Sequence, residues 1–265
     1  MKTSIATLAA CGIASGFAFA GEPMMTQAPP MEPTWNWTGF YLGAQVGLNF
    51  KTETDDGLVL DSNLDGNFGD TVPFGEAPGT GAFGNNFGHE FDDALSYGVL
   101  LGYDQQFDRF VLGAILDYNH TDILESQNGF SSTPAFYREE RTIENLSTLR
   151  LRAGYLVTDR TLVYITGGLA YGDPEYAFNS NNPNGTSTGD ADGDLGWVAG
   201  AGVETRITQN WSLTMEYLFT SFGDSDFNTS FNNGPFATAA GSTNVRGSEE
   251  DFFFHTVQAK LTYRF

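Results

Sequence analysis

The sequence is short of thiols, of positive charge and of long apolar runs, and each shortage removes a class of protein. Cys11 is the only cysteine in 265 residues and lies within the first twenty. The chain beyond them therefore has no disulfide and no thiolate for catalysis or metal binding. Lys and Arg number 12 against 33 Asp and Glu. A phosphate-binding face needs clustered basic side chains, so nucleic acid is not expected as a partner. The histidines are His89, His120 and His255. No pair has a metal-ligand spacing such as H-E-x-x-H. No Ser/His/Asp arrangement can be read, although His120 and Ser126 could be imagined as an outer-rim lipid-modifying pair. No catalytic residue, metal or cofactor is expected. Past the leader no apolar run approaches ~18 residues, which excludes a transmembrane helix. A membrane location would then require a closed β-barrel, the other structure that satisfies its backbone hydrogen bonds in lipid.

What is abundant is Gly (32), Phe (23) and Tyr (11), a composition of strands, turns and aromatic belts. The first twenty residues, MKTSIATLAACGIASGFAFA, read as a secretory signal peptide. Lys2 supplies the positive start, Ile5 to Phe17 is apolar or small, and Ala18-Phe19-Ala20 is an A-x-A cleavage site. Leu8-Ala9-Ala10-Cys11 also resembles a lipoprotein cleavage site, but the apolar run continues past it to a better one. Residues 21–36 hold four prolines and no periodicity, as a periplasmic linker would.

From residue 37 a period of two sets in. Phe40, Leu42, Ala44, Val46, Leu48 and Phe50 alternate with Tyr41, Gly43, Gln45, Gly47 and Asn49. Further segments near 94–106, 109–120, 145–157, 161–172, 195–207, 211–222 and 252–265 follow the same rule. Such alternation means strands with two different faces. In the last segment Val257, Ala259, Leu261, Tyr263 and Phe265 share the apolar face. An ending of this kind resembles the signal that commits barrels to the outer-membrane assembly machinery.

The connections alternate in length. Tight turns are expected at Asp108-Arg109, Asp159-Arg160 and Gln209-Asn210, and long loops over 51–93, 121–144, 173–194 and 223–251. The turns recur at intervals of 50 to 51 residues, so the unit is a repeated hairpin. Short turns on one side and long loops on the other predict an all-β fold: an eight-stranded antiparallel transmembrane β-barrel over 37–265, with periplasmic turns and extracellular loops. A soluble sandwich would also alternate, but segments of ~10–13 residues suit a tilted membrane crossing better.

Inward parity places Asp104, Asp117, Glu204 and Glu216 in the lumen with Arg150, Arg152, Arg206, Lys260 and Arg264. An eight-stranded barrel is just wide enough for side chains to fill. These charges form either a salt-bridged plug or the lining of a narrow pore. The aromatics Trp37, Phe107, Phe110, Tyr118, Tyr171, Trp211, Phe253 and Phe265 fall at strand ends, where interfacial girdles form. His255 has lipid-facing parity near the outer end of the last strand. Residues 51–93 contain ten carboxylates and one basic residue, Lys51. Such a stretch is expected to be solvated and flexible, or else to hold divalent cations between lipopolysaccharide headgroups. Asp190-Ala-Asp-Gly-Asp194 reads as a turn, because an EF-hand needs Gly at position six and Glu at twelve and the chain has Leu195 and Ala201 there.

The blocks WTGFYLG (37–43), LRLRAGY (149–155), TLVYITGGLAYG (161–172), GAGVE (200–204), NWSLTMEYL (210–218) and the closing YRF resemble the small porin-like outer-membrane barrels. This is the opacity-type family, in its alphaproteobacterial branch of surface antigens. The resemblance implies eight strands in the outer membrane and no shared catalytic motif. It leaves the activity open among structural surface protein, small pore, adhesin-like antigen and hemin binder. The expected partners are outer-membrane lipid, lipopolysaccharide and a host or hemin ligand at the loops.

Overall fold

The structure is a computed structural model. It describes residues 35–51, 57–70, 87–131, 135–181, 185–188, 194–224, 228–232, 237, 239–248 and 251–265. Residues 1–34, which include the expected signal peptide and most of the proline-rich segment, Glu53, Asp55, Asp56, Glu76 and residues 190–193 of the DADGD turn lie outside the described residues. The strands are β1 (Gly39–Phe50), β2 (Leu58–Asp61), β3 (Phe87–Asp92), β4 (Ala94–Phe107), β5 (Phe110–Ser131), β6 (Ala135–Thr158) and β7 (Thr161–Ser180). They continue as β8 (Gly185–Thr188), β9 (Asp194–Arg206), β10 (Trp211–Asp224), β11 (Asn228–Phe231), β12 (Thr243–Gly247) and β13 (Asp251–Arg264).

Eight of these close a ring, in the order β5-β4-β1-β13-β10-β9-β7-β6 and back to β5. Every pairing in the ring is antiparallel. The two ends of the barrel chain meet at the β1–β13 seam, where Tyr41 faces Arg264 and Phe50 faces His255. Closure leaves the transmembrane part without the unpaired edge that lipid could not satisfy. Two-residue turns at Asp108-Arg109 and Asp159-Arg160 join β4 to β5 and β6 to β7. Asp108 sits at φ 52°, a left-handed conformation that Asp tolerates better than most residues. The β9–β10 connection spans residues 207–210.

The alternation follows the sequence. Leu42, Val46, Leu101, Leu151, Ile165 and Met215 point outward, and Leu151 is 70 % exposed. Their polar or small neighbours point inward and are buried. An apolar exterior around a polar interior is the pattern of a barrel whose solvent on the outside is lipid.

The connections differ from the expectation. β5, β6 and β7 run to Ser131, Ala135 and Ser180, so most of 121–144 is a hairpin rising past the membrane rather than a loop. β3 continues the line of β4 beyond Asp93 and pairs with the upper half of β5. The other three long connections supply β2, β8, β11 and β12, which pair as a second sheet in the order β2-β12-β11-β8. Leu58, Leu60, Phe231 and Val245 from this sheet bury themselves against Tyr137, Ala135 and Phe178 of the raised wall. The Asp61–Asp70 stretch is ordered by its own carboxylates: Asp61 accepts from the amides of Asp65 and Gly66, and Asp70 accepts from Ser62. A sheet with an apolar underside thus forms from stretches whose composition suggests solvated loop.

Candidate functional site

The barrel interior is where the sequence concentrates buried charge, and it is stacked in layers. At the periplasmic end the chain turns inward before β1. Trp37 is fully buried, with its amide donating to Gln106 and its indole N–H donating to the Asp159 carbonyl at 3.1 Å. It packs with Val111, Leu156 and Leu162. Trp37 is therefore an interior stopper and not part of the interfacial girdle expected of it. Of the other expected girdle residues, Phe107, Phe110, Tyr118, Tyr171, Trp211 and Phe265 are exposed, whereas Phe253 is half-buried with Lys51 over its ring.

Above Trp37 lies a quartet of two acids and two bases. Arg152 pairs with Asp104 through both Nε and Nη2 and donates to Glu204 at 2.7 Å. Arg264 donates to the same Asp104 at 2.6 Å and to the Trp37 carbonyl. Both guanidiniums stack near the Tyr41 ring, an arrangement that adds cation–π attraction.

A second quartet stands one step outward. Arg150 reaches Asp117 at 2.6 Å and crosses to Glu216 at 2.9 Å. Lys260 lies 2.6 Å from Glu216. Glu216 also accepts from Tyr164 and Gln258, while Asp117 accepts from Thr148 and Asn119. Each quartet is neutral. Charges this deeply buried are tolerable only when paired and hydrogen-bonded, and removing one partner strands the other.

Inward glycines make room for these side chains. A Cβ on Gly102 would lie 2.2 Å from the Tyr41 ring, and one on Gly202 would lie 2.6 Å from that of Tyr164. On Gly113 it would run into Asp104. Large inward residues on one strand thus face glycines on the next, which lets a narrow barrel fill densely.

Eight of the nine expected lumen charges fall into the quartets: Asp104, Asp117, Arg150, Arg152, Glu204, Glu216, Lys260 and Arg264. Arg206 is the correction. It is buried at the periplasmic mouth, but it donates to the backbone carbonyls of Asn36 and Gln209 and stacks near Trp35 and Trp37. The strand parity was right; the inward turn of the chain at Asn36 supplied acceptors that no strand pattern reveals.

A third ionic group, at the outer mouth, was not anticipated. Glu125 pairs with Lys51 and with Arg141 at 2.7 Å, and His89 Nε2 lies 3.0 Å from the same carboxylate. Burial alone would raise the Glu125 carboxyl, but the His89 contact and the charges of Arg141 and Lys51 outweigh it and hold it at about 2. Nearby Glu139 is pushed the other way, to about 7, by burial that Arg141 only partly offsets. Extending the inward parity of β1 to Lys51 and of β5 to Glu125 would have found two of these residues. Arg141 was hidden by a register shift in β6.

The remaining histidines part ways: His120 is not brought to Ser126, and His255 sits at the outer interface. His120 and Ser126 share one strand and are six residues apart, about 20 Å at strand rise. Ser126 is buried while His120 faces outward beside Asp122 and the edge of Tyr97. His255 does have lipid-facing parity. It stacks on Phe50 and Tyr217, with the Tyr217 hydroxyl 2.6 Å from Nδ1, in an aromatic cluster at the outer interface. On β13, Val257, Ala259, Leu261 and Tyr263 line the outer face, and Tyr263 meets the rings of Trp211 and Phe265 at 5.2 Å each. Among the described residues no group of three or more His, Cys, Asp or Glu is placed to hold a metal ion.

A closed eight-stranded ring with an apolar outer band, aromatic ends and a charge-paired interior defines an integral β-barrel of the outer membrane. The chain belongs to the outer membrane protein beta-barrel domain family, matching it over residues 6–265. It is 30% identical to the 31 kDa outer-membrane immunogenic protein of Brucella melitensis, over 99% of this chain and 97% of that one. It is 25% identical to a 22 kDa outer membrane protein of Rhizobium leguminosarum, over 76% of this chain and 72% of that one. Among solved structures, OprG from Pseudomonas aeruginosa aligns with a TM-score of 0.48 and 15% identity, over 88% of this chain and all of that one.

Proposed function

We propose that the protein is a non-conducting structural barrel that supports envelope integrity and holds an acidic, strand-built surface outward. The observation that carries this reading is the pair of neutral quartets crossing the lumen, with Arg150 tying β6 to Glu216 on β10. Such cross-braces favour a rigid wall over a path for solutes. The related Brucella proteins are named as immunogenic, which supports surface exposure of the outer connections. Catalysis forms no part of the proposal.

The test is single-channel recording of refolded protein in a planar bilayer, after heat-modifiable gel mobility has verified folding. A silent bilayer is expected. Discrete, reproducible steps would make the protein a small porin instead, a reading favoured by the sheer number of charges facing the lumen. Hemin binding is less favoured at His89, because its Nε2 contacts Glu125. An unchanged absorbance spectrum on mixing with hemin is the expected result there.

A further inference from the structure

The lumen changes character along its axis. Outward of the second quartet the inward residues include an apolar cluster with Phe222, Phe252, Phe254, Ile123, Ile143 and Leu146, flanked on one side by the hydrogen-bonded chain Thr256–Asn49–Thr121. The three phenylalanines are at most 2 % exposed, and their ring centroids lie 6.1, 6.4 and 5.6 Å apart. Phe222 is seated by two glycines on neighbouring strands: a Cβ on Gly172 would lie 3.0 Å from its ring, and one on Gly196 2.8 Å. Immediately outward, Arg141 sits over Phe252 at 4.7 Å and Lys51 over Phe253 at 4.5 Å, and both bases pair with Glu125. The apolar cluster therefore lies between the second quartet and the Glu125 ionic group.

The quartet region is not dry in character. The Tyr41 hydroxyl, the Gln45 carbonyl oxygen, the Thr262 hydroxyl and Arg264 Nε are buried without a protein hydrogen-bond partner. Buried polar atoms of this kind take up ordered water in folded proteins. A layer of charges and hydrated dipoles offers an ion substitutes for its hydration shell. An apolar constriction offers none, and narrow apolar constrictions block ions by excluding water.

Resting on the closed-lumen reading, we infer that the barrier to ions is the apolar layer centred on Phe222, and that the quartets brace the wall without being the seal. Polar substitution in that layer alone would then turn the barrel into a channel, whereas loss of a quartet cross-brace would not.

The experiment records refolded full-length protein in planar bilayers, each variant first checked by heat-modifiable mobility. Four proteins are compared: wild type, Phe222→Ser/Phe254→Ser, Phe222→Leu and Arg150→Met/Glu216→Gln. Discrete steps are expected from the serine variant only. A folded but silent serine variant, or steps from the quartet variant, would overturn the inference. If the serine pair does not reach the folded form, the single variants Phe222→Ser and Phe254→Ser replace it and the same two outcomes decide. Steps from wild type would instead sink the closed-lumen reading. Silence in wild type and in the layer variants together would sink this inference alone.

Discussion

At the scale of single residues, two features recur in the interior: buried charges are paired, and several large inward side chains lie against a glycine on a neighbouring strand. The second feature is open to a direct test. Gly102→Ala puts a methyl group against the Tyr41 ring, at a site where a Cβ would be 2.2 Å away. Overpacking of that kind costs about 1–3 kcal/mol. The variant should unfold at lower urea than wild type, and Tyr41→Leu in the same chain should recover most of the loss. A Gly102→Ala protein as stable as wild type would refute the packing argument. The carboxyls at the outer mouth give a second test. Glu139, raised to about 7 by burial against the pull of Arg141, holds its proton more tightly folded than unfolded. Its contribution is full below the ordinary 4.5 and declines as pH rises toward 7. Glu125 is depressed to about 2, because the His89 contact and the charges of Arg141 and Lys51 exceed the opposing effect of burial. Its contribution is full above 4.5 and disappears as pH falls toward 2. The amide of Gly247, which bonds Glu139, should therefore lose hydrogen-exchange protection between pH 4.5 and 7, after correction for intrinsic rates. Glu139→Gln should abolish that loss; a decline unchanged in the variant would show that another group is responsible.

At the scale of elements, the eight crossings were legible because each keeps one parity from end to end. Even the lumen charges could be listed from that parity, since an inward position on a strand stays inward until the backbone is interrupted. The interruption comes in β6. Below it the inward residues are the even ones, Leu146, Thr148, Arg150 and Arg152; above it they are Ile143, Arg141 and Tyr137, all odd. The register shift lies between Ile143 and Leu146. A bulge of this kind inserts a residue and reverses which side chains face the interior. Read as a period-two pattern, the strand seems to stop there, which is why 121–144 looked like a loop. The outer sheet was hidden for a different reason: β2, β8, β11 and β12 have only four or five residues each, too few for a pattern, and β2 and β8 find their partners far away in sequence. Val245→Asp, in the fully buried centre of that sheet, should raise hydrogen exchange in β2, β11 and β12 while leaving β13 protected. Equal loss of protection in β13 would mean that the sheet and the barrel unfold as one unit.

At the scale of the whole molecule, the distribution of charge matters more than its sum. Past residue 20 eleven basic residues remain. Five are inside the barrel, Lys51 and Arg141 are bound up with Glu125, Arg109 and Arg160 belong to the periplasmic turns, Arg138 pairs with Glu140, and Arg246 lies in β12. Above the outer girdle, Asp92, Asp93, Asp122, Glu144, Asp173 and Glu175 all lie exposed on the wall. That face repels anionic headgroups at distances set by the Debye length, about 10 Å at 0.1 M salt. Folding into vesicles rich in anionic lipid should therefore be slower than into zwitterionic ones at low ionic strength, and added salt should close the gap. Rates insensitive to both lipid charge and salt would contradict this account.

The outer sheet also constrains how such a surface can change. Its four strands come from three separate connections, near residues 60, 186 and 230–245, and each strand's register is fixed by a neighbour from another connection or from its own hairpin. An insertion in one connection shifts the partners of the next. The three segments must drift through evolution as a block, so a graft that exchanges one of them between relatives should misalign the other two. An antibody against this face would grip a mosaic drawn from distant parts of the chain, one that no short synthetic peptide reproduces.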